Sequence, residues 1–209
     1  MKICITGGGT AGHIVPALAV AARLREKIPG CDVFWLGKKE DAERLLVEKA
    51  GIRWYGISAG KLRRYFSLRN ASDVLRVCAG FFQALSILRK ERPDVLFSKG
   101  GFVSVPPVLA SRCLGIPSAT HESDASPGLA TRLNAPFVDA ICLPYAGAAG
   151  PLEKKHGKKL MVTGNPVRDE FFHADPDSGF KRLGIPRGTP LIVVLGGSQG
   201  ARQVNDLIA

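Results

Sequence analysis

Three glycine-rich loops, each placed between an apolar run and a helix-forming run, carry the residues of this chain best suited to chemistry. They occupy residues 7–13, 99–104 and 196–202. A loop of this kind presents backbone N–H groups to an anion, and the positive end of the helix dipole lies behind them. The sequence therefore predicts three loops around a cleft for phosphate-bearing substrates.

His13 is the first candidate for proton transfer, because it closes the first loop at the start of a helix. The helix dipole there lowers the proton affinity of an imidazole and favours its neutral form. A neutral histidine can take a proton from a hydroxyl group or position that group; the alternative is a histidine that only hydrogen-bonds the loop. His121, followed by Glu122, ends a later predicted strand and is a weaker candidate of the same kind, since a histidine at a strand end is often only structural.

The first loop also satisfies the G-x-G-x-x-G pattern of dinucleotide-binding folds, through Gly7, Gly9 and Gly12. Those folds use an acidic residue at the end of the second strand to bind the ribose hydroxyls. Here that strand leads into Lys38 and Lys39. The loop therefore indicates phosphate binding more than NAD binding, and a dinucleotide-dependent oxidoreductase is kept as an alternative.

Composition narrows the classes of partner. The net charge of +11 favours acidic partners, and phosphorylated substrates, anionic lipid and nucleic acid all fit that charge. No nucleic-acid-binding motif is present, so nucleic acid is not expected. No apolar run reaches the roughly 20 residues of a bilayer span, so any membrane contact is expected to be peripheral. The five scattered cysteines form no C-x-x-C pair, which predicts reduced thiols in a cytoplasmic protein and no metal site.

Apolar runs alternate with helical patterns through residue 143, which predicts an α/β fold with a doubly wound parallel sheet. The expected strands are at residues 2–6, 33–36, 52–57, 94–97, 118–121, 139–143 and 160–163, and the expected helices at 17–27, 40–50, 71–91, 107–114 and 127–134.

The strand, glycine loop and helix pattern begins again at Leu191. This restart predicts two domains, one over residues 1–163 and a linker with the start of a second Rossmann-like domain over 164–209. A lone strand with part of a helix cannot cover its own apolar faces. The sequence is therefore interpreted as a fragment, with a subunit completed by another chain as the alternative.

Five sequence blocks, in order, resemble those of the MurG family of N-acetylglucosaminyltransferases. They are residues 8–13 (GGTAGH), 100–104 (GGFVS), 121–122 with 127–129 (HE and PGL), 164–168 (GNPVR) and 196–202 (GGSQGAR). The resemblance covers nearly all of this chain but only the first part of a family member. The chain departs from the family pattern after His121, where Glu122-Ser123-Asp124 replaces the usual Glu-Gln-Asn.

The resemblance implies a GT-B fold, in which two Rossmann-like domains face a cleft. The implied reaction is the inverting transfer of N-acetylglucosamine from UDP-N-acetylglucosamine to undecaprenyl-diphospho-N-acetylmuramoyl-pentapeptide (lipid I to lipid II), without a metal or other cofactor. In the family the N-terminal domain takes the polyprenyl-diphosphate-linked acceptor and the C-terminal domain takes most of the UDP-sugar. The 209-residue chain alone is therefore expected to show little or no turnover.

The resemblance also implies roles for individual residues. His13 would be the catalytic residue. The acceptor diphosphate would be bound by Gly9, Thr10, Ala11, Gly12, Gly100, Gly101 and Ser104. Further acceptor contacts would come from His121, Glu122 and Asp124. UDP-N-acetylglucosamine would be contacted by Thr10, Gly12, Asp124, Asn165, Arg168, Ser198 and Gln199.

A basic and apolar patch is the candidate for contact with an anionic membrane surface, on the cytoplasmic face of the cell membrane. Its residues are Arg63, Arg64, Phe66, Leu68, Arg69, Phe81 and Phe82. Such a patch can rest on anionic lipid, where a polyprenyl carrier resides. The alternative is that Phe81 and Phe82 belong to the core. For the chain as a whole, the second hypothesis is a non-catalytic acceptor-binding subunit that needs a separate donor-domain chain.

Overall fold

Seven parallel strands form one sheet in the part of the chain that the computed structural model describes, residues 1–39, 44–60, 69–196 and 201–208. Their order is β3-β2-β1-β4-β5-β6-β7. The strands are β1 Lys2–Thr6, β2 Asp32–Lys38, β3 Arg53–Ile57, β4 Val95–Ser98, β5 Ser118–His121, β6 Ala140–Leu143 and β7 Leu160–Val162. The predicted parallel sheet is confirmed.

The strand order has one reversal, and it places the glycine loops. The chain builds outward from β1 to β3, then returns to place β4 on the other side of β1. In open parallel sheets, ligands bind outside the carboxyl ends of the strands at such a switch point. The first glycine loop follows β1 and the second follows β4, so both leave the sheet at the switch point.

Helices cover both faces of the sheet, because alternate strand residues point to opposite faces and both sets are apolar. On β1, Ile3 and Ile5 pack with Ile14 and Ala17 of the first helix in one buried cluster. Cys4 belongs to a second buried cluster on the opposite face, with side chains of the third and fourth helices. The sheet is thus the middle of three layers, which explains why strands such as β1 and β2 read as continuous apolar runs.

The described helices are α1 Ala11–Lys27, α2 Arg44–Lys49, α3 Arg69–Glu91, α4 Val105–Cys113, α5 Leu129–Asn134, α6 Leu152–His156, α7 Pro176–Leu183 and α8 Arg202–Ile208. Among the described residues, none of these helices has the length and apolar content needed to cross a bilayer.

The start of α1 differs from the prediction. The sequence predicted a helix from residue 17, with Pro16 near its first turn, whereas α1 begins at Ala11 and Pro16 lies inside it. Proline has no N–H to pair with the carbonyl four residues earlier, so the helix loses one hydrogen bond at Gly12. The earlier start places Ala11, Gly12 and His13 in the first helical turn, directly behind the glycine loop.

The strand expected where the pattern begins again, at Leu191 to Leu195, is not formed, and that part of the prediction is wrong. Ile192 and Leu195 are 90% and 84% exposed. An isolated strand leaves its backbone groups and apolar side chains unpaired, so a strand requires a neighbour that this segment lacks among the described residues.

The chain separates into two compact units, Met1–Pro166 and Val167–Ala209. The first contains the whole sheet. The second contains α7 and α8; Asp175 caps the start of α7 by accepting hydrogen bonds from the Asp177 and Ser178 N–H groups, and Gly184 ends that helix in the left-handed conformation.

Candidate functional site

A cavity of about 300 Å³ lies in the first unit, lined by the loops that follow β1, β4 and β5. The first loop contributes Gly8, Gly9, Thr10 and His13, the second Lys99, Gly100, Gly101 and Phe102, and the third His121, Glu122 and Asp124. Two of the three predicted glycine loops therefore face one cavity. The third, with Ser198 and Gln199, falls mostly on residues 197–200, outside the described part of the chain.

The first two loops touch through their backbones. The Lys99 N–H donates to the Thr6 carbonyl at 2.8 Å, and this bond continues the β1–β4 pairing into the loops. Gly101 has φ +76° and ψ 155°, a conformation that only glycine adopts readily. A Cβ added there would collide with the Gly8 carbonyl oxygen. The close approach of the two loops therefore requires glycine at position 101.

His13 is held against the second loop. Its Nδ1 lies 3.2 Å from the Lys99 carbonyl oxygen, and since a carbonyl only accepts, Nδ1 carries the proton and Nε2 the lone pair. Burial and the nearby Lys99 charge lower the pKa of His13, although the hydrogen bond and the Glu122 and Asp124 charges oppose them. The prediction of a His13 with lowered proton affinity is confirmed in direction, with burial as the largest cause.

Glu122 organises the loop after β5. Its Oε1 accepts from the Ser123 and Asp124 N–H groups at 2.8 and 3.0 Å. Its Oε2 accepts from the Gly128 N–H at 2.8 Å and from the Thr131 hydroxyl at 2.7 Å. Four donors therefore surround this buried carboxylate. Its predicted contact with an acceptor stays a prediction, but the structure already gives it a role in shaping the cavity wall.

His121 is also tied to backbone. Its Nε2 lies 2.9 Å from the Gly164 carbonyl, so Nε2 carries the proton. Nδ1 is buried and has no hydrogen-bond partner among the described residues. Burial, ahead of the other causes, lowers the pKa of His121. The bond to Gly164 fixes the end of β5 against the segment that follows β7.

Several predicted site residues lie outside the cavity lining. Ser104 is fully buried behind the second loop, where its hydroxyl donates to the Gly101 carbonyl at 2.9 Å and accepts from Asn134 at 3.0 Å. Ala11 and Gly12 lie in the first turn of α1. The amide of Asn165 donates to the Ser123 carbonyl at 3.5 Å. The ligand contacts predicted for these residues stay predictions.

Arg168 belongs to the second unit. Its guanidinium lies 3.4 Å from the Glu170 carboxylate and 5.1 Å from the centre of the Phe171 ring. Its predicted contact with a nucleotide phosphate stays a prediction.

Lys99 is the cavity residue that the sequence reasoning missed. Its side chain is only 1% exposed, and its ammonium donates to the Ser123 hydroxyl at 2.5 Å. Burial lowers the pKa of Lys99, and the Glu122 and Asp124 charges oppose that shift. The signal in the sequence was its position: a lysine between a buried strand and a glycine pair has little room to reach bulk solvent.

Comparison with known proteins agrees with this architecture. Residues 3–143 match the model of the glycosyltransferase family 28 N-terminal domain. A protein of Treponema pallidum (strain Nichols), named UDP-N-acetylglucosamine–N-acetylmuramyl-(pentapeptide) pyrophosphoryl-undecaprenol N-acetylglucosamine transferase, is 49% identical over 203 residues, which are 97% of this chain and 53% of the relative. A Clostridium botulinum (strain Langeland) protein of the same name is 42% identical over 209 residues, which are 99% of this chain and 57% of the relative.

The crystal structure of Acinetobacter baumannii MurG has the same fold, with a TM-score of 0.72 at 26% identity over 98% of this chain and 55% of that chain. The fold is therefore of GT-B type, and the resemblance to the MurG family is confirmed. The chain spans about half the length of the curated relatives it matches. By the match over residues 3–143, the chain belongs to glycosyltransferase family 28 and carries the family's N-terminal domain.

Proposed function

We propose that this chain is the acceptor-binding part of an inverting N-acetylglucosaminyltransferase of peptidoglycan synthesis. The proposed donor is UDP-N-acetylglucosamine, and the acceptor is undecaprenyl-diphospho-N-acetylmuramoyl-pentapeptide. The observation that carries the proposal is the meeting of the first two glycine loops in one cavity at the switch point of the sheet. The printed names of the Treponema and Clostridium relatives support the choice of donor and acceptor.

The two loops are suited to a diphosphate. Gly8, Gly9, Gly100 and Gly101 bring backbone close to the cavity without side chains in the way. The amino end of α1 adds the positive end of a 17-residue helix dipole behind the first loop. A diphosphate carries more than one negative charge, so two adjoining loops bind it better than one loop binds a monophosphate.

His13 is proposed as the general base. Its Nδ1–H is fixed on the Lys99 carbonyl, and among the described residues no group hydrogen-bonds to Nε2. In the proposed step the acceptor hydroxyl oxygen bonds to the anomeric carbon of the donor, and its proton moves to Nε2. UDP leaves with the electron pair of the broken bond, and the configuration at carbon inverts. The lowered pKa of His13 keeps the unprotonated, base form available at neutral pH. General-base catalysis typically contributes about 10²–10⁴-fold to the rate of such a reaction.

Acceptor binding by the 209-residue chain tests the proposal. We expect a water-soluble, short-chain polyprenyl-diphospho-N-acetylmuramoyl-pentapeptide to bind in a calorimetric titration. The same molecule with a monophosphate in place of the diphosphate is expected to bind at least about tenfold more weakly, because it loses the contacts of one phosphate. A tenfold change in the dissociation constant corresponds to about 1.4 kcal/mol. Equal binding of both molecules, or binding of neither, would contradict the proposal. NADH serves as the comparison ligand and is expected to bind more weakly than the acceptor, because Lys38 and Lys39 stand where a dinucleotide site has an acidic residue for the ribose.

We also propose that the first unit rests on anionic lipid at the cytoplasmic face of the cell membrane. Of the predicted patch, residues 61–68 lie outside the described part of the chain, whereas Phe81 packs against the core and Phe82 is 66% exposed. An apolar groove of about 410 Å³ runs between α3 and α4 beside Phe82, with Arg112 in its wall. The net charge of +11 supports an anionic partner for this apolar surface.

Replacing Phe82 with serine is expected to weaken binding to anionic vesicles by about tenfold. Burying an aromatic side chain in the interface contributes about 1.5–3 kcal/mol, and serine removes most of that. Cosedimentation with phosphatidylglycerol vesicles measures the effect. Leu45→Ser is the matched control, since Leu45 is 63% exposed on α2. Equal losses for both variants would remove the argument for this surface.

A further inference from the structure

The buried ammonium of Lys99 makes fewer hydrogen bonds to the described residues than it has donors. The side chain is 1% exposed, yet its Nζ donates one hydrogen bond to a described residue, the Ser123 hydroxyl. No carboxylate among the described residues lies within 4.0 Å of it. An ammonium has three N–H donors, and a buried charge is unfavourable unless it is paired. Lys99 thus has donor capacity that the described protein does not use.

The neighbouring carboxylates do not fill that capacity. Both Glu122 oxygens already accept two hydrogen bonds each from the loop that Glu122 organises. Asp124 acts on Lys99 through its charge, without a hydrogen bond to Nζ. These two charges favour the protonated form of Lys99 but leave its remaining donors open. Since Lys99 lines the cavity between the two glycine loops, a ligand in that cavity is the available partner.

We propose that the Lys99 ammonium, held by Ser123, binds a phosphate oxygen of the acceptor and so positions the acceptor in this cavity. The proposal rests on the proposed function and names the side chain that supplies the positive charge. It also accounts for Asp124 in a site for an anion, because Lys99 offsets that carboxylate.

The same residue links the anion to the proposed base. The Lys99 carbonyl accepts the His13 Nδ1–H, while the Lys99 charge disfavours protonation of His13. The other charged groups that act on His13 are Glu122 and Asp124, and both favour its protonation. A phosphate bound at Lys99 adds negative charge beside the ring. Ligand binding is therefore expected to raise the pKa of His13, which prepares the imidazole to receive the acceptor proton.

Histidine NMR titration of the 209-residue chain with inorganic pyrophosphate tests this inference. The chain has only four histidines, and His13→Gln assigns the relevant signal. In the unaltered chain, pyrophosphate is expected to bind and to raise the His13 pKa. In Lys99→Met, the pKa of His13 is expected to be higher before pyrophosphate is added, pyrophosphate is expected to bind at least tenfold more weakly, and the ligand-induced change is expected to disappear.

Two further variants separate charge from packing. Lys99→Gln keeps a polar group near Ser123 without the charge and is expected to behave as Lys99→Met does. Lys90→Met removes an exposed lysine from the last turn of α3 and is expected to match the unaltered chain. The inference is overturned if Lys99→Met or Lys99→Gln binds pyrophosphate as tightly as the unaltered chain, or if the unaltered chain does not bind it. Acceptor binding that prefers diphosphate over monophosphate would still uphold the proposed function in that case.

Discussion

Replacing Gly101 with alanine is expected to destabilise the first unit by about 3 kcal/mol and to abolish anion binding in the cavity. The backbone at Gly101, with φ +76° and ψ 155°, lies in a region that costs a residue with a Cβ about 1–3 kcal/mol. The new methyl group would also collide with the Gly8 carbonyl oxygen and lie 3.1 Å from Cδ2 of His13. Because the main obstacle is backbone of the first loop, the two loops must move apart.

Gly115→Ala provides the matched control for this change. Gly115 has φ +67°, but a Cβ there would meet nothing within 4 Å. Its substitution is expected to cost only the backbone strain, about 1 kcal/mol, and to leave pyrophosphate binding unchanged. Urea unfolding of both variants gives the difference in stability. If the two substitutions destabilised the chain equally, the close contact between the loops would contribute nothing to the free energy of unfolding.

Glu122→Gln is expected to destabilise the first unit by about 3 kcal/mol and to loosen the segment from Ser123 to Thr131. The carboxylate accepts four hydrogen bonds, two on each oxygen. In glutamine an NH2 group replaces one of those oxygens, and this new donor then faces the two donors that the oxygen had accepted from. Leaving buried groups unsatisfied costs about 1–3 kcal/mol each, and hydrogen bonds to a charged acceptor contribute more than neutral ones. Faster amide hydrogen exchange at residues 123–131 would report the loosened loop.

The pH dependence of stability gives a second readout for Glu122. Burial acts to raise the pKa of Glu122, but the hydrogen bonds from Asp124, Thr131, Gly128 and Ser123 outweigh it, so the pKa lies below its usual value of 4.5. A carboxyl with a lowered folded-state pKa stabilises the fold above its unfolded pKa, and this contribution is lost as the pH falls through the folded pKa.

The unaltered chain should therefore lose stability below about pH 4.5, and Glu122→Gln should lose less over that range. Glu153→Gln, at an exposed position, is the control and should follow the unaltered chain. An equal loss of stability at low pH in all three proteins would show that Glu122 is not the group responsible.

The fold could be predicted from the sequence because strands inside the sheet, such as β1 and β2, are buried on both faces. Segments such as Ile3–Ile5 of β1 and Val33–Leu36 of β2 read as continuous apolar runs, and each strand is followed within a few residues by a glycine or a lysine. The error at α1 arose from Pro16, which is favoured in a first turn but is tolerated deeper in a helix that packing holds in place. The error at residues 191–195 arose because a strand pattern says nothing about whether a pairing partner is present.

The site was predictable only in part, for a similar reason. Glycine loops that follow neighbouring parallel strands must leave the same edge of the sheet, so their meeting follows from strand order. The hydrogen bonds and the burial of each polar side chain do not follow from strand order. Glu122 turns back onto its own loop, Ser104 supports Gly101 from behind, and Lys99 is enclosed, and each outcome depends on loop conformation that composition and spacing do not encode.

The central claim is that the first two glycine loops bind one diphosphate together. The most direct test is a ¹⁵N NMR titration of the 209-residue chain with the soluble diphosphate-linked acceptor. We expect the amide signals of Gly8, Gly9, Gly100 and Gly101 to shift together, with one common dissociation constant. Shifts confined to one loop, or loops that respond with different constants, would contradict it.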